Sequence, residues 1–242
     1  MIADLSGVDK AAETKLIRTT FDGTIVLVEG GDDAKLFRKL LSRESCYFLP
    51  TVGKPILTEA LHILNQDSLK GVLGIADADF TRIEGVSKVK NLVLCDGHDA
   101  ETMIVMSEAF EEVVQEYGSE KKVDKFRNEQ SVDDLCLWLV KQVDFFGRVR
   151  LVSARETLSL AFCSLDLLKV IDRRTLRCDI EDYVRRLLLI SNPTKISGSD
   201  LAAKATAVKI DKKAIFELCC GDDLLALLAQ ALRHRWGSQT TT

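Results

Sequence analysis

Glycine and proline are scarce in this 242-residue chain, at 14 and 3. That scarcity excludes collagen-like repeats and low-complexity disorder. No apolar run approaches the roughly 18 residues that a membrane helix needs. The first residues, MIADLSGVDKAAE, lack the basic-then-apolar layout of a secretory signal. No two cysteines have CxxC spacing, and the seven (Cys46, Cys95, Cys136, Cys163, Cys178, Cys219 and Cys220) are odd in number. They read as buried thiols in a reducing, cytoplasmic compartment, not as a disulfide framework or a zinc site. Three histidines, far apart, argue against a histidine-built metal centre. There is no Walker A segment and no GxGxxG, so P-loop and dinucleotide binding are set aside.

A near-neutral mean charge conceals an asymmetry. The net charge is −4, which argues against coating nucleic acid by bulk charge. Residues 1–120 hold 12 Lys+Arg against 21 Asp+Glu, and residues 121–242 hold 21 against 16. The acidic half is suited to a cation and the basic half to an anionic partner.

Periodicity separates the same two halves. A lead-in helix is expected over 8–20. TIVLVEG (24–30) is short, β-branched and turn-bounded, as a buried parallel strand is. CYFLP (46–50), GVLGIADAD (71–79) and NLVLCDGHDAE (91–101) read as further strands. Helices are expected over 32–42, 56–66 and 99–117, the second with Leu57, Ala60, Leu61 and Leu64 on one face. Strands alternating with helices predict an α/β fold, a parallel sheet flanked by helices. Residues 131–143, 155–171, 179–190, 199–206, 212–219 and 222–235 have helical spacing, with RVRLVSA (148–154) a candidate strand. The expected organisation is a sheet domain over 1–120 and a mainly α-helical region over 121–242. The clearest loop is SNPTKISGSD (191–200), with Ser199 or Asp200 as the cap of the next helix.

Three expected strands end in acids: Glu29, then Asp77 and Asp79, then Asp96, Asp99 and Glu101. Open parallel sheets bind ligands at the carboxyl ends of their strands. Several carboxylates in one crevice repel, and a divalent cation relieves the repulsion. Hard oxygen donors select Mg²⁺ or Mn²⁺. Asp77 and Asp79 straddle Ala78, so an extended segment would put both on one side. The plainer alternative is helix capping, with Asp99 as an N-cap and Asp32 and Asp33 favouring a helix dipole.

These motifs carry a resemblance. VEGGDDAKLF (28–37) resembles the first motif of the TOPRIM fold, and GIADADF (74–80) its DxD motif. The set VEGxxD, VGK (52–54), DADF (77–80) and DGHDAE (96–101), in that order, is similar to an uncharacterised TOPRIM-like family. That family tends to have a late GHD-like segment, where this chain has CCGDD with Asp222 in place of His. The resemblance implies a Mg²⁺- or Mn²⁺-dependent nuclease that cleaves phosphodiester bonds of RNA or DNA. It implies Glu29 as acid/base or ligand, Asp77 and Asp79 as ligands, and Asp33 as holder of a second ion. Asp96, Asp99 and Glu101 would be family-specific additions. Lys54 would stabilise transition-state charge, and His98 would position a phosphate or water. Relatives of this layout resemble effectors of bacterial anti-phage systems, which implies an ABC-type ATPase partner and a homodimer. No tyrosine (47, 117, 183) lies in a motif, so topoisomerase chemistry is not expected.

The stretch 148–186 holds nine Lys+Arg and six acids. Arg148, Arg150, Arg173, Arg174 and Arg177 are its candidate phosphate contacts. Salt-bridged helix faces are the plainer reading of the same residues. A non-catalytic, metal-binding interaction or sensor module is the alternative function.

Overall fold

The computed structural model describes residues 5–42, 44–85, 89–191 and 196–238. The chain divides into two units, meeting between Cys95 and Asp96. The boundary expected from the sequence is at 120. The helices that follow Asp99 pack with the later helices, which accounts for the earlier division.

The first unit runs α1 (Gly7–Arg18), β1 (Thr24–Val28), α2 (Gly31–Leu40), β2 (Cys46–Pro50), α3 (Lys54–Gln66), β3 (Val72–Ala76), α4 (Thr81–Glu84) and β4 (Leu92–Leu94). All strand pairs are parallel, in the order β2-β1-β3-β4. The expected parallel sheet is therefore present, but β3 and β4 end at Ala76 and Leu94, short of the expected 79 and 101, and Asp79, at φ 45°, is not in an extended segment. Right-handed crossovers send the chain from β1 to β2 on one side and from β2 back to β3 on the other. This puts α2 and α3 on opposite faces. Under α1 and α3 lie Ile25, Leu27, Val72 and Ala76 of the strands, with Ala11, Leu57, Ala60, Leu61 and Leu64 of the helices. The buried positions of α3 are the four expected from its spacing. On the other face α2 buries Ala34 and Phe37, while Leu40 and Leu41 stay exposed. Among its described residues the link from β3 to β4 contains only the four-residue α4, and Leu73 and Val93 are exposed on that face. At the sheet's amino edge the Arg18 guanidinium donates to the carbonyls of Phe21, Gly23 and Gly71 at 2.8, 2.7 and 2.6 Å.

The second unit is helical: α5 (Ala100–Val105), α6 (Ala109–Tyr117), α7 (Glu120–Gln130), α8 (Leu135–Glu156), α9 (Ile180–Ile190), α10 (Gly198–Ala207), α11 (Ile215–Leu218) and α12 (Gly221–Ala231). A π-helical turn follows over Leu232–Trp236. The expected 99–117 helix is two helices, broken at Met106–Glu108, where Ser107 Oγ accepts from the Ala109 amide. The expected strand at 148–154 is instead the last third of α8. Much of α8 is buried all round, including Leu139, Val140, Val143, Phe146, Val149, Leu151 and Val152. A helix enclosed on all sides has no 3.6-residue polarity to read. The helix expected over 155–171 is replaced by two 3₁₀ turns, Phe162–Ser164 and Leu167–Lys169. Of the loop expected over 191–200, residues 192–195 lie outside the described residues, and α10 is capped by Ser197, not by Ser199 or Asp200. Among the described residues, no helix is long and apolar enough to cross a membrane.

Candidate functional site

The strand order reverses at β1, so the carboxyl ends of β1 and β3 form the switch point of the sheet. Crevices of that kind hold ligands in open α/β sheets. Glu29 follows β1 and Asp77 follows β3. Their junction is direct: Glu29 Oε1 accepts from the Asp77 amide at 2.9 Å. Glu29 is half-buried, and that burial raises its pKa above the ordinary carboxylate value. The Asp77 N–H bond and the Lys54 charge oppose the rise, while Asp79 and Asp33 add to it.

Lys54 reaches the same place from the start of α3. Thr51 donates its amide to Val28 O and Gly53 to Glu29 O, both at 2.9 Å, which continues the edge of β1 into the VGK turn. Val52 and Gly53 there have φ of 68° and 108°. A β-branched residue at positive φ is an outlier that only a tightly determined turn retains. The turn aims Lys54 Nζ at the loop after β3. It donates to Asp77 O and Asp79 Oδ2 at 2.7 Å each, with Thr81 Oγ1 at 3.3 Å and Ala78 O at 3.4 Å. Asp79 itself sits at φ 45°. An open groove of about 690 Å³ starts at Lys54 and Asp79 and follows α3 past Thr58, His62 and Gln66.

Asp33 has a local task. Its Oδ2 accepts from the Gly30 amide at 2.7 Å and so caps α2. The remaining candidates belong to the second unit. Asp99 is buried and N-caps α5: Oδ1 accepts from the amide and hydroxyl of Thr102 at 2.8 and 2.6 Å. Its Oδ2 accepts from Gly221 N at 2.8 Å. The His98 ring is buried, with Nδ1 3.1 Å from Glu217 O. Asp96 is exposed and Glu101 half-buried. A Cβ at Gly221 would lie 2.3 Å from Glu101 Cβ, so only glycine lets α12 approach α5 this closely. The DGHDAE and CCGDD segments thus meet through Asp99 and Gly221.

Among the described residues, no three His, Cys, Asp or Glu side chains form a group that could hold a metal ion. Glu29, Asp33, Asp77 and Asp79 are not gathered into one, nor are Asp96, Asp99 and Glu101. The donor chemistry nonetheless fits a hard cation. The oxygens around Lys54 Nζ are carbonyl, carboxylate and hydroxyl, and a cation already occupies them.

The arginines separate into two kinds. Arg148 donates to Asp144 Oδ2 at 2.7 Å and to Val208 O. Arg150 makes two bonds to Asp223, at 3.1 and 2.8 Å, and stacks over Phe162 with 4.6 Å to the ring centre. Arg173, Arg174 and Arg177 are exposed on one loop, in which Asp172 Oδ1 accepts from the amides of Arg174 and Thr175. The π-helical turn adds exposed Arg233 and His234. Slight burial and then the charges of Arg173 and Arg233 lower the His234 pKa. Sequence spacing missed these last two, which lie some sixty residues beyond the Arg173 loop.

Cysteine placement is also mixed. Cys95 and Cys219 are buried, Cys46, Cys136, Cys178 and Cys220 half-buried, and Cys163 exposed. Burial pushes the thiols of Cys136, Cys178 and Cys220 up to about 12, where they are inert at neutral pH.

No family model matches the chain, and no curated protein matches it.

Proposed function

We propose that the chain is a metal-dependent nuclease of TOPRIM type, with its site at the carboxyl ends of β1 and β3. The observation that carries the reading is the bond between Glu29 and the amide of Asp77 at the switch point. Glu29 Oε1 is fixed by that bond, and Oε2 takes a proton from the attacking water. A pKa raised by burial suits the carboxyl to this exchange. Asp77 and Asp79 would hold Mg²⁺ or Mn²⁺ together with Glu29. A bound ion would supply an acidified water and charge neutralisation on the phosphate. The exposed arginines 173, 174 and 177, with Arg233, would neutralise phosphates of the RNA or DNA. Following the family likeness, the protein acts as a toxic effector in anti-phage defence, with an ATPase partner and a homodimeric active state.

One observation favours the second reading, a non-catalytic module. The ammonium of Lys54 already satisfies the loop that would receive the metal. The two readings separate in one assay. Purified protein is incubated with tRNA, single-stranded DNA and duplex DNA, with Mg²⁺, Mn²⁺ or chelator. Cleavage that needs the metal and is lost in Glu29→Ala supports the nuclease. A folded wild-type protein that cuts none of them refutes it.

A further inference from the structure

We propose that Lys54 is the resident cation of the loop after β3, and that a divalent ion reaches Asp79 by displacing it. The inference rests on the reading of this site as a metal site and concerns its regulation. Four oxygens lie within 3.4 Å of Nζ: two backbone carbonyls, one carboxylate oxygen and one hydroxyl. An ammonium has three protons, so this set exceeds what it can satisfy at once. The same donors are those a hard divalent cation selects. Backbone carbonyls do not titrate, so two of the four oxygens remain acceptors at every pH.

Geometry makes Lys54 a tethered ion and not a solvated one. Its side chain is 23% exposed against 54% for Asp79. Strain is present on both sides of the contact, at Val52 on one loop and at Asp79 on the other. Hydrogen bonds from Thr51 and Gly53 to β1 hold the turn that presents the lysine. A divalent ion at Asp79 would face the ammonium charge a few ångströms away, and the two exclude each other. Lys54 therefore sets a threshold for metal binding. A substrate phosphate lowers that threshold, because it gives Nζ another acceptor and draws it out of the nest. Metal and nucleic acid then help each other bind, by equal factors.

The test is a Mn²⁺ titration of wild type, Lys54→Met and Thr81→Val, with free Mn²⁺ read by electron paramagnetic resonance. Circular dichroism and thermal melts establish that each variant is folded. Lys54→Met keeps the length of the side chain and removes its charge. It is expected to bind Mn²⁺ about tenfold more tightly or better. Thr81→Val removes the most distant side-chain acceptor of the ammonium without altering any charge; because the hydroxyl is also a donor to a divalent ion, its Mn²⁺ affinity is expected to stay within a few-fold of wild type and well below that of Lys54→Met. Lys54→Gln, which also removes the charge, serves if Lys54→Met does not fold. Equal or weaker binding in the folded Lys54 variant overturns the proposal, as does the absence of Mn²⁺ binding at millimolar concentrations in all the proteins. If Lys54→Met binds Mn²⁺ more tightly while the wild-type protein, saturated with Mn²⁺, cuts no nucleic acid, the displacement is supported and the nuclease is not.

Discussion

Replacing Arg150 with methionine removes one half of an ion pair enclosed by the second unit. The side chains are 20% exposed for Arg150 and 3% for Asp223. Two hydrogen bonds and the Phe162 ring fix the guanidinium. Burial opposes its charge, but the Asp223 carboxylate outweighs burial and raises the Arg150 pKa. Burial pushes the Asp223 carboxyl up, and Arg150 pulls it back. Without Arg150 the carboxylate has no counter-charge and cannot reach bulk water. Breaking such a pair costs about 3–5 kcal/mol. In a chain of this size 1 kcal/mol moves the melting temperature by about 2–4 °C, so Arg150→Met should melt about 6–20 °C lower. The sign with pH follows. Asp223 in the variant favours its protonated form, so the deficit is largest at neutral pH and shrinks under acid. Arg150→Met/Asp223→Leu should recover most of the loss, because no uncompensated charge remains. Calorimetry at pH 7.5 and pH 5 reads all of this. A single variant melting within about 2 °C of wild type at pH 7.5 would refute the assignment of Arg150 to the interior.

Gly74 lies under α3, and a Cβ there would meet Leu61 and Leu57 methyls at 2.6 and 2.8 Å. Gly74→Ala should lose about 1–3 kcal/mol in urea denaturation, despite the better strand propensity of alanine; a neutral result would mean that α3 shifts freely. Arg173→Ala/Arg174→Ala/Arg177→Ala should leave the melting temperature unchanged and weaken nucleic-acid binding. The log–log salt slope should fall by about 2–3; an unaltered slope removes that loop from the interface. Glu29→Gln should raise the urea midpoint at pH 7.5, because ionised Glu29 costs stability above its raised folded pKa. The gain should fade below the unfolded value of about 4.5, where the native carboxyl is protonated as well. A gain that persists at pH 4 would point to a cause other than burial of the charge.

The first unit was open to sequence reading because its signals are local. A β-branched run, a turn and an amphipathic helix lie within thirty residues of one another. Strand ends then place Glu29 and Asp77 without any contact having to be guessed. The second unit gave less away. Arg148 and Arg150 alternate with Val149 and Leu151, as in a half-exposed strand. Asp223, which makes this arrangement tolerable inside a helix, lies 73 residues away. The Asp99 cap was legible, but its bond to Gly221 and the burial of Lys10 were not. Lys10 is buried with an ion pair to Glu13, and Asp99 is spent on Thr102 and Gly221. Helix α7 was missed because EKKVDKFRNEQ buries only Val123 and Phe126. Two apolar anchors in eleven residues do not make a periodic signal.

Backbone strain separates the two sets of candidate carboxylates more sharply than sequence does. Around Asp99 the chain is relaxed into a helix cap, and Gly97, at φ 76°, takes the one left-handed position of that segment. Glycine adopts such a conformation at no steric cost. Around Lys54 and Asp79 the left-handed positions fall on Val52 and Asp79 as well as Gly53. Side chains that disfavour this conformation are kept there, and each such residue costs about 1–3 kcal/mol. A cap needs no strain, whereas two loops converging on one ammonium do. The proposed site is therefore the β1–β3 edge, while the DGHDAE segment holds α5 against α12. Substitutions make the distinction measurable. Asp99→Asn should lower the melting temperature of the folded protein, because a buried cap and its bond to Gly221 are weakened. Asp79→Asn should leave it nearly unchanged, since its salt bridge to Lys54 is half-exposed and worth little to stability. The reverse ranking would mean that the strained loops serve the fold and the relaxed cap serves the site.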